Sequence, residues 1–164
     1  MFKKIQMFTD GSCLGNPGSG GYGTILRYKL HEITLTSGFY LTTNNRMELM
    51  AVISGLESLN QSCFVEITTD SLYVKKGILD WMPIWKKKEW KTTKNQPVKN
   101  IDLWLRINAV LKKHSVNWLW IKAHIGHIEN TRCDQIARKS AQNPSYQDFY
   151  YEKNQFLKSL KNHF

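Results

Sequence analysis

The middle of the chain changes from a strand pattern to a helix pattern and back, and this restricts the fold more than any other feature. Apolar residues alternate with threonine and tyrosine between Ile33 and Thr42, which is typical of a strand. A helix is predicted from Asn44, a plausible cap, to about Asn60, and its mostly apolar surface indicates burial. Residues 64–69 form the next predicted strand. A strand–helix–strand crossover implies a parallel pairing within the sheet.

Two predicted strands precede this unit and one follows it. The first two cover about residues 4–10 and 22–29, on either side of segment 11–23, whose six glycines predict a loop. No long crossover separates strands one to three, so they should form an antiparallel meander. With a fifth strand over residues 116–121, the predicted fold class is α/β. It is a five-stranded mixed sheet flanked by helices, with strands 1–3 antiparallel and strands 4–5 parallel to strand 1.

The remaining helices and the length of the chain suggest one domain with a short tail. Three more helices are predicted, over residues 71–81, 100–114 and up to residue 142. Pro83 is expected to interrupt the first of these, and Asn100 is expected to cap the second. The tail, residues 145–164, is polar and aromatic and can form a short helix. A chain of 164 residues fits a single domain.

The charge balance predicts a polyanionic partner. Lys and Arg number 23 against 13 Asp and Glu, which gives a formal net charge of +10. The three cysteines have neither disulfide-framework nor CxxC spacing, which favours a reducing, cytoplasmic setting. The N-terminus lacks the apolar region of a signal peptide, and no apolar run is long enough to cross a membrane.

Four acids stand where carboxylates gather in such a sheet. Asp10 and Asp70 end predicted strands, Glu48 lies in the first turn of a helix, and Asp134 lies on the last helix. Clustered carboxylates repel one another unless a cation or a proton neutralises them, and hard oxygen ligands suit Mg²⁺. The pattern therefore predicts a metal site within a nucleic-acid-binding surface. Taken singly, each acid is explained equally well as a cap or a surface charge.

A lysine- and tryptophan-rich segment is the second candidate for binding nucleic acid. Lysines there can contact phosphates, and tryptophans can lie against sugars or bases. The segment holds Trp81, Trp85, Lys86, Lys87, Lys88, Trp90, Lys91, Lys94, Lys99 and Trp104. The alternative is a solvated lysine face with inward-packed tryptophans, which we prefer for Trp90 and Trp104.

Four motifs make the chain resemble bacterial ribonuclease HI. They are TDGSCLGNPG at residues 9–18, TTNNRMELMA at 42–51, TDS at 69–71, and the segment from Gly126-His127 to Cys133-Asp134. The resemblance covers about residues 1–144, which it implies are a ribonuclease H domain with a basic protrusion at 81–100. It implies an endonuclease that hydrolyses the RNA strand of RNA–DNA hybrids and leaves 5′-phosphate ends.

The same resemblance implies roles for individual residues. Asp10, Glu48, Asp70 and Asp134 would be catalytic ligands of one or two Mg²⁺ ions, with Mn²⁺ as a substitute. His124 would handle protons or help product leave, although by spacing alone it is more readily a plain loop residue. The implied substrate contacts are Cys13, Asn16, Arg27, Thr43, Asn44, Asn45, Trp81, Trp85, Lys86, Lys87, Lys88 and Lys99. The expected partner is the hybrid duplex, bound by a monomer without an obligate protein partner.

Some positions depart from the family pattern, and other functions compete with this one. Leu72 stands where many relatives carry a glutamine, and Ala123 and Ile125 flank His124 where smaller residues are common. One competitor is another nuclease of the same fold, integrase-like or junction-cutting. A non-catalytic duplex-binding module is the other, and it would lack one of the acids.

Overall fold

A five-stranded mixed sheet forms the centre of the protein, with strand order β3-β2-β1-β4-β5. The computed structural model describes residues 3–123 and 126–162. The strands are β1 (Lys3–Leu14), β2 (Gly18–Tyr28), β3 (His31–Thr42), β4 (Cys63–Thr69) and β5 (Ser115–Trp120). β1, β2 and β3 pair antiparallel, whereas β4 pairs parallel with both β1 and β5. The predicted fold class and strand directions are confirmed.

Helices cover both faces of this sheet. They are α1 (Asn44–Glu57), α2 (Leu72–Lys76), α3 (Met82–Lys87), α4 (Ile101–Leu111), α5 (Ile128–Gln142) and α6 (Phe149–Lys161). Successive side chains of β1 point to opposite faces of the sheet, so β1 contributes to the core on both faces. Met7 joins the larger core with α1 and α4, and Phe8 joins Ile25 and Cys133 beneath α5. None of the described helices is long and apolar enough to cross a membrane.

The predicted glycine loop is largely strand, which corrects the sequence-based interpretation. β1 continues past Asp10, and Gly11 pairs with Tyr22 of β2. The glycines serve close packing: a Cβ atom on Gly11 would lie 2.5 Å from the backbone nitrogen of Glu48. The part of β1 next to Asp10 therefore lies directly against the first turn of α1.

Helix α5 packs on a part of the sheet where the facing residues are glycines. A Cβ atom on Gly21 would lie 2.6 Å from the Ala137 carbonyl oxygen, and one on Gly23 would lie 2.5 Å from that of Cys133. Gly38 of β3 faces the carbonyl of Ser140 in the same way. The helix backbone thus approaches the sheet backbone more closely than any side chain would allow.

Two predicted helix caps differ in the structure. Thr43, not Asn44, caps α1, because its hydroxyl oxygen accepts a hydrogen bond from the Arg46 N–H at 3.3 Å. Asn100 precedes α4 in a left-handed conformation, with φ of 58°, and its side chain makes no capping bond. The Asn100 amide instead donates to the Tyr73 hydroxyl at 2.9 Å and accepts from Arg46 at 3.3 Å. Tertiary partners for its polar atoms replace the local cap.

Pro83 does not interrupt its helix as predicted. The chain stays helical from α2 through a π-helical turn (Gly77–Trp81) into α3. Within that turn the Met82 N–H donates to the Gly77 carbonyl, five residues back. Pro83 is the second residue of α3 and directly follows the π-helical turn, so its missing N–H falls where the regular α-helical bonding already changes.

The C-terminal tail is attached to the sheet before α6 begins. The backbone N–H groups of Ser145 and Tyr146 donate to the Gly38 carbonyl, and the Tyr146 carbonyl accepts from Tyr40 at 2.9 Å. Asp148 then caps α6 through the Tyr151 N–H. None of the side chains of α6 is fully buried, so the bonds that precede α6 are what keep it against the rest of the protein.

Candidate metal centre and nucleic-acid interface

Three carboxylates meet just beyond the point where the parallel pairing of β1 with β4 ends. Asp10 lies in β1, Asp70 follows β4 directly, and Glu48 lies in the first turn of α1. One carboxylate oxygen from each lies within 4.8 Å of the others. The parallel pairing of β1 with β4 brings the first two together, and the glycine contact at Gly11 brings the third.

Burial and mutual repulsion perturb two of these acids. Burial, reinforced by the negative charge of Asp70, raises the pKa of Asp10 to about 7, against 3.8 for the ordinary side chain. A hydrogen bond from the Gly11 N–H at 2.8 Å opposes this shift in pKa. Burial, followed by the charges of Asp10 and Asp70, raises the pKa of Glu48 well above its usual range.

The donor set fits a divalent cation. Glu48 is only 7% exposed, and its Oε2 atom has no hydrogen-bond partner within the part of the chain that the structure describes. A buried acceptor without a donor is costly, and a cation bound there would remove that cost. Carboxylate oxygens are the ligands that Mg²⁺ and similar hard cations prefer. Asp10, Glu48 and Asp70 could therefore hold such an ion.

Asp134 borders this cluster without belonging to its closest group. It projects from α5 and lines the same cleft as Asp10, Glu48 and Asp70. Its Oδ1 atom accepts a hydrogen bond from Arg138 one turn later, at 2.9 Å. The fourth predicted acid is thus within the cleft but paired with a cation of its own helix.

The cleft also brings together several predicted substrate contacts. Cys13, Asn44 and Asn45 line it together with the four acids. Asn16 lies beside them, since its side-chain oxygen accepts a hydrogen bond from the Asn44 backbone N–H at 3.1 Å. Further residues complete the lining: Gly11, Ser12, Ser71, Leu72, Tyr73, Ala123 and Arg138.

Arg27 already has carboxylate partners. Its guanidinium donates to Glu32 at 2.8 Å and to Glu129 at 3.1 Å, and Arg132 also pairs with Glu32. Thr43 is half-buried and its hydroxyl caps α1. A phosphate that approached Arg27 would compete with these carboxylates, so the predicted role of Arg27 stays a prediction.

The lysine- and tryptophan-rich segment divides into an aromatic inside and a cationic outside. Trp104 is fully buried, as predicted, and Trp85 packs on it with ring centroids 5.6 Å apart. Trp81 lies 5.6 Å from Trp85 and stays half-buried, as does Trp90. The side chains that point to solvent are Lys86, Lys87, Lys88, Lys91, Lys94 and Lys99.

The loop before α5 is only partly described. His124 and Ile125 lie outside the described residues, and the role of His124 stays a prediction. His127 immediately precedes α5, and its backbone carbonyl accepts a hydrogen bond from the Thr131 N–H. This agrees with a structural role for His127 at the helix start.

Asn130 is a site residue that the sequence did not reveal. It is 8% exposed and lines a small cavity with Asp10, Asp70 and Asp134. Its amide donates to the Thr9 carbonyl at 3.5 Å and to the Thr68 carbonyl at 3.2 Å. An asparagine in the first turn of a predicted helix gives no signal of such a tertiary contact.

The sheet and its acidic cluster define a class: nucleases that act through carboxylates arranged to hold divalent cations. Residues 2–142 match a family model described as RNase H. Ribonuclease H of Buchnera aphidicola subsp. Schizaphis graminum is 71% identical over 154 residues, 94% of this chain and 96% of that protein. Ribonuclease H of Salmonella arizonae is 56% identical, covering 93% of this chain and 98% of that protein. The chain belongs to the RNase H family.

Solved structures agree with this assignment. A type 1 RNase H with the type 2 active-site motif superposes with a TM-score of 0.80 at 28% identity, covering 88% of this chain and 75% of that one. An RNase H1 solved in complex with an RNA/DNA hybrid superposes with a TM-score of 0.61 at 20% identity, covering 84% and 96%. The second likeness concerns the fold alone.

Proposed function

We propose that the protein is an endonuclease that hydrolyses the RNA strand of RNA–DNA hybrids at the cleft bordered by its four acids. The observation that carries this proposal is the meeting of Asp10, Glu48 and Asp70 within 4.8 Å, in a chain of the RNase H family with net charge +10. Water attacks the scissile phosphorus, the bond to the 3′ oxygen breaks, and the products carry a 5′-phosphate and a 3′-hydroxyl.

The acids would hold the ions on which this reaction depends. Asp10, Glu48 and Asp70 would bind one or two Mg²⁺ ions, which Mn²⁺ can replace, and Asp134 would complete the set. When bound, such ions would supply an activated water and would stabilise the leaving oxygen. The chain itself positions the carboxylates: Asp10 and Asp70 through the pairing of β1 with β4, Glu48 through α1. Arg138 holds the Asp134 carboxylate to one side of the cleft.

Selectivity for a hybrid rests on groups beside the acids. Asn16, Asn44 and Asn45 offer amides suited to the minor groove and the RNA 2′-hydroxyl, which can both donate and accept. Their support is position, because Asn44 and Asn45 line the acidic cleft and Asn16 is bonded to the Asn44 backbone. Cys13 lines it too, and Glu48 would neighbour the 2′-hydroxyl next to the scissile phosphate.

Contacts to the DNA strand belong to the cationic side of the molecule. Thr43 and Arg27 would form a phosphate pocket, and Trp81 and Trp85 would lie along DNA sugars. Lys86, Lys87, Lys88 and Lys99 would contact phosphates from the basic protrusion, residues 81–100. His124 would move a proton or help product to leave.

The setting of the enzyme forms part of the proposal. We expect a monomer in the cytoplasm that needs no protein partner. The three cysteines, Cys13, Cys63 and Cys133, carry free thiols, which suits a reducing compartment. Residues 1–144 would be the catalytic domain, and 145–164 an attached tail.

A gel assay tests the proposal. End-labelled RNA–DNA, RNA–RNA and DNA–DNA duplexes are incubated with and without Mg²⁺. Cleavage of the RNA strand in the hybrid alone, abolished by chelator, is expected. Cleavage of branched or all-DNA substrates would favour the integrase-like or junction-cutting alternative, and unchanged hybrid in Mg²⁺ would favour a binding module.

A matched pair of variants locates the chemistry. Glu48→Gln removes the buried carboxylate and should abolish cleavage and the stabilisation of the protein by Mg²⁺. Glu57→Gln is the control, because Glu57 lies on the same helix but is exposed and paired with Arg106 at 2.7 Å. Equal activity of the two variants would remove Glu48 from the metal site.

A further inference from the structure

A groove lies between the end of the basic protrusion and the C-terminal helix, and none of the residues that line it lines the acidic cleft. Residues 96–100 form one wall, and α6 forms the other. The buried Arg46 lies at its base. Among the described residues that line this groove, four are cationic and none is acidic. We call this feature the tail groove.

The attachment of α6 makes the tail groove part of the folded protein. Asp148 accepts hydrogen bonds from the Arg46 Nε at 2.6 Å and Nη2 at 2.9 Å, and from the Thr42 hydroxyl at 2.8 Å. Asp102 accepts two further hydrogen bonds from Arg46, at 2.7 and 2.8 Å, and Asn100 accepts one from Nη1 at 3.3 Å. Because two carboxylates outweigh the single charge of Arg46, the positive charge of the groove comes from its lysines.

Those lysines face solvent on both walls. Lys99 stands on the protrusion side, and Lys158 and Lys161 stand on α6. Lysines that line a groove without a carboxylate are suited to phosphate oxygens. The groove also holds an aromatic ring: Tyr150 is 39% exposed and lies 5.3 Å from the Arg46 guanidinium. Rings in this situation can stack on a sugar or a base.

We propose that the tail groove binds the phosphodiester backbone of the substrate outside the segment that is cleaved. The inference rests on the proposed function and extends it to a second contact surface. Lys99 makes the two surfaces continuous, because it ends the basic protrusion and also lines the groove. The occupant is either an extension of the hybrid duplex or a single strand that leaves it, since both present the same phosphate chemistry.

Binding measurements in chelator test this directly. The variant Lys158→Gln/Lys161→Gln is compared with Lys112→Gln/Lys113→Gln, which removes the same charge from the exposed end of α4. Lys153→Gln is a second control, on α6 but outside the groove. The substrates are a short hybrid that spans only the cleft and protrusion, the same hybrid with a longer duplex, and the same hybrid with a single-stranded DNA extension.

The groove variant should bind extended substrates roughly 3- to 10-fold more weakly, with a salt dependence reduced by about one to two phosphate contacts. If only the longer duplex binds more weakly, the occupant is duplex. If only the hybrid with the single-stranded extension binds more weakly, the occupant is single-stranded DNA. Equal affinity of groove and control variants on every substrate would overturn the proposal, and so would an equal loss on the short hybrid. Cleavage of the short hybrid by the wild-type protein in Mg²⁺ tests the proposed function separately, so the two failures are distinguishable.

Discussion

The side-chain amide of Asn130 lies 3.2 Å from the carbonyl oxygen of Thr68, and this bond ties α5 to the carboxyl end of β4. The same amide reaches the Thr9 carbonyl of β1 at 3.5 Å. Asp10 follows Thr9 directly, and Asp70 lies two residues after Thr68. One side chain therefore joins the three elements that carry Asp10, Asp70 and Asp134.

Replacing Asn130 should loosen this junction. Asn130→Ala removes the amide donor that reaches the Thr9 and Thr68 carbonyls, at an expected cost of about 1–3 kcal/mol in the free energy of unfolding. Because Asn130 positions rather than reacts, the variant should also need more Mg²⁺ for half-maximal cleavage. Asn143→Ala is the control, since that amide bonds to the Lys139 carbonyl at the exposed end of α5. An unchanged Mg²⁺ requirement in Asn130→Ala would contradict the positioning role.

The pKa of Asp10 makes stability depend on pH in a particular direction. Its folded-state pKa of about 7 lies above the 3.8 of an unperturbed side chain, so the fold disfavours the ionised form. The resulting penalty is absent below the unfolded pKa, grows as pH rises between the two values, and is complete above the folded pKa. Asp10→Asn removes that penalty, so in chelator its advantage over wild type should grow across this window, by roughly 1–3 kcal/mol.

Chemical unfolding of both proteins at several pH values measures this difference. Asp80→Asn, which removes an exposed carboxylate, serves as the control. Divalent cations should cancel the advantage of Asp10→Asn, because they favour the ionised carboxylate of the wild type. A difference that does not change with pH would mean that Asp10 ionises normally in the fold.

The lysines of the basic protrusion should affect binding more than chemistry. Replacing Lys86, Lys87 and Lys88 with Ala is expected to raise KM, weaken the salt dependence and change kcat little, because exposed lysines contact phosphate without touching the acids. Steady-state cleavage at several salt concentrations measures these effects. The charge-matched control removes Lys4, Lys112 and Lys113, which lie near the amino-terminal ends of β1 and β5. A large loss of kcat at constant KM would rule out this binding role.

The ion pair between Arg46 and Asp148 should hold the tail. Asp148→Asn leaves the buried guanidinium with one carboxylate fewer, and we expect a loss of about 3 kcal/mol in the free energy of unfolding. Limited proteolysis should then cut within α6 earlier than in wild type. Glu57→Gln breaks the exposed pair with Arg106 and should cost less than about 1 kcal/mol. Equal stability of the two variants would mean that the tail is held by other contacts.

The sequence predicts the sheet and a group of four acids from local patterns, and the structure brings three of the four, Asp10, Glu48 and Asp70, into one cluster. Alternation marks β3, the strand–helix–strand order sets β4 parallel to β1, and acids at strand ends must then approach one another. The motif resemblance leads to the same family that the comparisons establish.

Contacts between distant parts of the chain are what the sequence does not reveal. Thr42 and Asp148 are 106 residues apart, and the Asn130 contact to Thr68 spans 62. The glycines of residues 11–23 predict a loop because flexibility and close packing have the same signature in a single sequence. Only the folded structure distinguishes them, by placing a helix against the positions that lack side chains.

The glycines beneath α5 limit which substitutions the protein can accept during evolution. Gly21 and Gly23 set the height of the helix above the sheet, and Asp134 belongs to that helix. A single methyl group at either position would lift α5 and carry Asp134 away from Asp10. Gly21 and Gly23 should therefore resist substitution as strongly as the acids, although they contact neither the ion nor the nucleic acid.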